Sequence, residues 1–243
     1  MRVGVVGAGG WGTALAKLLT ENGHQVKLWA YEQETMAEIN QKHTNERFLA
    51  GVVLPVELTA STNPAEVAEG AELLTFVVPS QWVRSTVKLF IPHLSPGTVV
   101  VNAGKGLEIQ TLKTLSQVLR EELSALHHDI VVLSGPNHSE EVSRRLPSAT
   151  VVAAPDLKAA ELVQEVFMSS YFRVYTNRDR LGVELGGALK NVFSLAAGIC
   201  DGLNFGDNTK AALVTRALAE MRRLGVMMGA EPETFSGLSG LGD

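Results

Sequence analysis

A single cysteine, Cys200, leaves the 243-residue chain unable to form an internal disulfide, which points to the reducing cytoplasm and to a core held by packing alone. Its flanks, Ala196 to Ile199 and Leu203, read as packed helix, so Cys200 is expected to be a small buried hydrophobe rather than a nucleophile. There is no block of charge: 21 Lys and Arg against 26 Asp and Glu give a net −5 spread along the chain. This speaks against nucleic-acid or membrane-surface partners. The sequence also lacks a charged leader and an apolar run of membrane-spanning length, so neither secretion nor membrane insertion is expected. His127-His128 and His138 have no partners at zinc spacing, and Ser239 lies in a glycine turn rather than in G-x-S-x-G; neither a metal site nor a hydrolase is expected.

What is present is a core-forming composition, 45% apolar, arranged in strand-length runs. These fall at Val3–Val6, Val26–Trp29, Leu73–Val78, Val99–Val101, Ile130–Leu133, Thr150–Ala153 and Phe172–Tyr175, with helix-like stretches between most of them. Alternation of this kind predicts an α/β fold, a Rossmann-type doubly wound parallel sheet covered on both faces. In the first helix Ala14, Leu15, Leu18 and Leu19 make one apolar stripe, and Asn22-Gly23 supplies a left-handed stop. Asn63-Pro64, Pro79-Ser80 and Leu112–Leu123 mark further helices. After Arg180 strand-like runs give way to helical stretches at about Leu181–Ala197 and Thr209–Gly225, which divides the chain into a dinucleotide-binding domain, 1–176, and a helical domain, 177–243. The turn-rich end, Ser236 to Asp243, has no closing helix and reads as a helical domain cut short.

Gly7-Ala8-Gly9-Gly10-Trp11-Gly12 follows a strand and opens an amphipathic helix. In that setting backbone N–H groups and the helix's positive end face a phosphate together, and glycine admits the tight turn and the pyrophosphate. Twenty residues past Gly12, Glu32 at the end of the second strand is placed to accept hydrogen bonds from both ribose hydroxyls and to repel a 2′-phosphate, favouring NAD, with NADP as the alternative. Glu32 also suits the first turn of the next helix, and no arginine lies near Tyr31 in the sequence. Trp82, beyond Val77-Val78-Pro79, reads either as a cofactor contact or as a helix aromatic packing on the sheet.

These stretches, with Lys105-Gly106-Leu107-Glu108, Ser134-Gly135-Pro136-Asn137, Gly186-Gly187-Ala188-Leu189-Lys190-Asn191 and Gly237–Asp243, resemble the NAD(P)-dependent glycerol-3-phosphate dehydrogenases from Gly7 to Asp243. The resemblance implies hydride transfer between glycerol 3-phosphate and dihydroxyacetone phosphate in phospholipid synthesis, and a small phosphorylated three-carbon substrate. The sequence does not reveal the oligomeric state, but an unfinished helical domain would expose apolar surface and favour association, with a homodimer as one such assembly. The resemblance makes Lys190 the catalytic base and Asp243 its catalytic partner, which orients and partly neutralises it, and both would bind substrate. Substrate would also meet Lys105, Gly135 and Asn137. Cofactor would meet Gly7, Gly9, Gly10, Trp11, Gly12, Tyr31, Glu32, Trp82, Lys105 and Ser139.

Read without it, Lys190 is a snorkelling surface lysine, Lys105 a loop cation, Gly135-Pro136 a turn and Asp243 a frayed acid. A lysine near 10.4 is too protonated to act as a base at neutral pH, and burial among Leu189, Val192 and Phe193 is expected to lower Lys190. The sequence departs from the family at Gly104, where many relatives have serine, and at Tyr31-Glu32, where many bacterial relatives have a His-Arg type of pair. Relatives also continue past this aspartate into a Ser/Arg/Asn segment that holds phosphate and cofactor. The competing readings are a catalytically inactive dinucleotide-binding fragment and a related hydroxy-acid or ketopantoate-type dehydrogenase.

Overall fold

A computed structural model describes residues 1–125 and 128–243; His127 lies outside the described residues. The strands β1 (Arg2–Val6), β2 (Gln25–Trp29), β3 (Thr59–Ser61), β4 (Leu73–Phe76), β5 (Val99–Asn102), β6 (Ile130–Ser134), β7 (Ser148–Ala153) and β8 (Phe172–Asn177) form one sheet in the order β3-β2-β1-β4-β5-β6-β7-β8. The helices are α1 (Gly10–Glu21), α2 (Gln33–Lys42), α3 (Pro64–Ala68), α4 (Val83–Phe90), α5 (Leu115–Glu122), α6 (Ser139–Ser143), α7 (Leu157–Phe167), α8 (Arg180–Gly202) and α9 (Asp207–Met227). Strand alternation divides the core in two. In β5, Val99 and Val101 join a cluster with Leu15 and Leu18 of α1, while Val100 joins the opposite one with Val87 and Phe90 of α4. Both faces are therefore covered, as a doubly wound sheet requires.

The chain departs from the expected pattern in four places. β7 runs antiparallel to β6, so the sheet is mixed; a run such as Thr150–Ala153 is equally apolar in either direction. β3 is an edge strand of Thr, Ala and Ser, with no apolar run to announce it. The helix expected from Leu112 starts only at Leu115, because Leu112 is left-handed at φ +56° and Leu107 bridges to Thr114. Thr114 then caps α5 through a capping box with Gln117. Finally, α8 is long and apolar enough by length and composition to cross a membrane, contrary to the expectation that no such run exists. Its first half, Gly182–Gly187, is buried instead, with Val183 in a cluster with Val132 and Val151 of the sheet. The first helix does stop at Gly23, left-handed at φ +84°, and Asn63 accepts from the Ala65 N–H at the start of α3.

Candidate active site

The turn after β1 delivers the start of α1 to the carboxyl end of the sheet, beside the gap between β1 and β4 where strand order reverses. Gly7 is at φ +116°, and a Cβ there would lie 2.7 Å from the Val77 carbonyl oxygen; a Cβ on Gly12 would lie 1.9 Å from the Gly7 carbonyl oxygen. Both glycines are thus required by packing. Gly9 opposes open space, while Gly10 lies under the Phe48 carbonyl and beside Ser139 Oγ, so Ser139 does reach the turn. Trp11 turns its ring away into the core beside Phe172.

Glu32 caps α2 without a side-chain cap bond, and Arg47 Nη1 stands 3.9 Å from its Oε1. The expectation that no arginine lies near Tyr31 therefore fails in space: Arg47 arrives on the loop after α2, stacked over Phe48. Asn45 ties that loop to the glycine turn, its Nδ2 donating to the Ala8 carbonyl and to Thr13 Oγ1. Tyr31 is exposed, and Trp82, which ends a 3-10 turn Ser80–Trp82, is 64% exposed rather than packed on the sheet.

Further along the same sheet edge, three predicted residues converge. Asp243, its side chain almost fully buried, accepts from Lys105 Nζ through one carboxylate oxygen and from Lys190 Nζ through the other. Lys105 Nζ also donates to the Gly135 carbonyl at 3.1 Å. Burial pushes the Lys105 ammonium down to about 8, against the pull of Asp243. The apolar surround expected for Lys190 is not built as foreseen, because Val192 is 63% exposed. Asn137 Nδ2 donates to Thr150 Oγ1, while Asn137 Oδ1 and Ser134 Oγ are buried with no hydrogen-bond partner among the described residues. Ser134 Oγ and Lys105 Cγ both face the Gly187 position of α8, where a Cβ would lie 2.4 Å from the first and 3.6 Å from the second. A cavity of about 190 Å³ opens next to Lys190 and Asp243, between α8 and α9. A larger concavity, about 1050 Å³ and lined by Arg2, Lys17 and Gln25, lies at the amino ends of β1 and β2, the wrong end of such a sheet for its ligand.

Two polar residues that sequence reasoning passed over meet between β5 and α8. Asn102 ends β5, and Glu184 is buried in α8 with its carboxylate on Asn102 and Ser116. Cys200, expected to be buried, is half-buried and free. Among the described residues no group of His, Cys, Asp and Glu is placed to hold a metal.

The family model of the NAD-dependent glycerol-3-phosphate dehydrogenase N-terminus matches residues 2–160, and that of the C-terminus matches residues 179–243. The chain belongs to this dehydrogenase family. A glycerol-3-phosphate dehydrogenase [NAD(P)+] of Lysinibacillus sphaericus is 51% identical across 100% of the chain and 72% of the relative, and one of Lactiplantibacillus plantarum is 51% identical across 100% and 73%. The crystal structure of glycerol-3-phosphate dehydrogenase from Coxiella burnetii superposes with TM-score 0.94 at 37% identity, covering 99% of this chain and 73% of that one. A ketopantoate reductase of Ralstonia eutropha shares the fold alone, at 16% identity and TM-score 0.55. The dehydrogenase family uses NAD(P), and the glycine turn fits its pyrophosphate: α1 presents its amino end, and the missing side chain at Gly9 leaves room for approach.

Proposed function

We propose that this chain interconverts sn-glycerol 3-phosphate and dihydroxyacetone phosphate, with Lys190 as the proton-transfer residue. The observation that carries the reading is Asp243 bridging Lys105 and Lys190 at the carboxyl edge of the sheet that also holds the glycine turn. Gly7 to Gly12, Tyr31, Glu32, Trp82, Lys105 and Ser139 would hold the dinucleotide, Trp11 through its backbone because its ring packs in the core. When bound, its nicotinamide accepts or supplies the hydride at the substrate's C2. Lys190 Nζ gives a proton to the C2 oxygen during reduction and takes it back during oxidation. Asp243 holds that ammonium in place and orients it. Lys105, fixed by Asp243 and by the Gly135 carbonyl, offers a second cation to the substrate, while Asn137, whose amide is held on Thr150 Oγ1, would have to turn to meet it. We place the division between the cofactor and helical domains at Asn177, where β8 ends, and the enzyme in the cytoplasm.

NADH oxidation with dihydroxyacetone phosphate tests this. Lys190→Ala should lower kcat by about 10³-fold while NADH affinity stays within about twofold. Unchanged turnover sinks the assignment, and NADH binding without turnover in the parent leaves a dinucleotide-binding protein. Glu32 favours NADH over NADPH in kcat/KM; Arg47 lies close enough to temper that preference, and a preference for NADPH would reverse it.

A further inference from the structure

Glu184 is an acid in the buried part of α8, 3% exposed, with no cation among its hydrogen-bond partners in the described residues. Such a group costs free energy to bury, and a leucine would pack there without the cost. Burial pushes its carboxyl up, with the bonds from Ser116 and Asn102 pulling the other way. Capping α5 explains one of its contacts, the Ser116 N–H at 2.7 Å, but α5 already has its own cap in Thr114. The contact to Asn102 is left to account for.

Asn102 is fully buried and closes around the peptide that leads into Lys105. Its Oδ1 accepts from the Gly104 N–H at 3.1 Å, and its Nδ2 is shared between the Gly104 carbonyl at 3.3 Å and Glu184 Oε1 at 3.1 Å. An acceptor on that side fixes which way the amide points, and hence how the Gly104–Lys105 peptide is held. Lys190 lies six residues on in the same helix as Glu184, about 9 Å along its axis. At Gly187, between them, a Cβ would come 3.6 Å from Lys105 Cγ. One buried carboxylate therefore links the helix that carries Lys190 to the loop that carries Lys105.

We propose that Glu184 is a positioning residue that fixes Lys105 relative to Lys190 by holding Asn102, and through it the Gly104–Lys105 peptide, against α8. This rests on the roles given to the two lysines above. Misplacing a reacting group by about 1 Å costs on the order of 10²-fold in rate. Four variants separate positioning from helix capping: Glu184→Ala, Glu184→Gln, Asn102→Ala and Ser116→Ala.

Glu184→Ala and Asn102→Ala should lower kcat at least about tenfold with KM for NADH within about twofold. Glu184→Gln should restore kcat to within about threefold, since its amide oxygen still accepts from Asn102. Ser116→Ala should lower the melting temperature and leave kcat in place. The pH dependence of Lys105 acetylation, read by mass spectrometry, reports the geometry without turnover. Its midpoint, about 8 in the parent, should rise by a unit or more in Asn102→Ala as the freed loop hydrates the ammonium. Asp243 and Lys190 are the charged groups bonded to or facing that ammonium, and neither is altered. Equal kcat losses in Ser116→Ala and Asn102→Ala, or an unmoved midpoint in Asn102→Ala, overturn the proposal. If Glu184→Ala does not fold, Asn102→Ala decides. A parent without dihydroxyacetone phosphate reduction defeats the functional reading, while the acetylation arm still judges the linkage.

Discussion

The two halves of α8 have similar compositions and opposite surroundings. Val183, Leu185, Gly186 and Gly187 are buried, whereas the equally apolar Val192, Leu195 and Ile199 are more than half exposed. Helix propensity and hydropathy do not distinguish them; contact with β6, β7 and the turn before Asp243 does. The boundary between the halves falls at Lys190, so the proposed proton-transfer residue stands where packed core ends. Lys190 lines the cavity between α8 and α9 with Phe193 and Leu218, and its ammonium reaches Asp243.

Leucine truncation is the strongest way to break that contrast. Leu185 is fully buried in a cluster with Met221, Ala230 and Phe235, and Leu185→Ala should cost about 2–5 kcal/mol. Leu195, ten residues on and 69% exposed, should change stability by no more than about 0.5 kcal/mol when replaced by alanine. Urea denaturation of both variants checks this. Comparable losses would mean that the second half is covered in solution.

The glycines should split next, with opposite signs. A Cβ on Gly186 would lie 2.4 Å from the Ser239 carbonyl oxygen, a backbone atom that cannot rotate aside, so Gly186→Ala should destabilise by about 1–3 kcal/mol. A Cβ on Gly198 would meet no atom within 4 Å, and Gly198→Ala should stabilise by up to about 1 kcal/mol through helix propensity. Thermal melts of the pair would show shifts in opposite directions. Two losses would place unseen contacts around Gly198.

The same distinction between local pattern and distant contact explains what could be read in the sequence. The strand–glycine turn–helix unit was legible because Gly7, Gly12 and the Leu15–Leu18–Leu19 stripe act within one short stretch. The Asn63 cap was legible for the same reason. β3 was not, because an edge strand of three small and polar residues needs no apolar run. The direction of β7 was hidden because alternation has no polarity. Arg47 escaped because fourteen residues of helix and loop separate it from Glu32 in sequence, and only folding brings the two together. Lys105, Lys190 and Asp243 were found through resemblance, since nothing in their spacing says that they meet. Asn102 and Glu184 did leave a signal, a polar residue ending Val99-Val100-Val101 and an acid within Gly182-Val183-Glu184-Leu185, but a lone polar residue in an apolar stretch names no partner.

The smallest expected effect bears on Lys105, whose stem packs against the buried half of α8 at Gly187. Its ammonium is pushed down to about 8, below the unfolded value of about 10.4. Between those two values the unfolded chain holds a proton that the folded chain has released, so stability contributed by this group rises with pH across that window. Below about 8 both forms are charged and the contribution is flat. Lys105→Met removes the term, so the native protein should gain a few degrees in melting temperature over the variant between pH 8 and pH 10 and nothing between pH 6 and pH 7.5. A constant difference across the whole range would mean that water reaches Lys105 freely, and that the buried character of α8 stops at Gly187 rather than extending to the lysine pair.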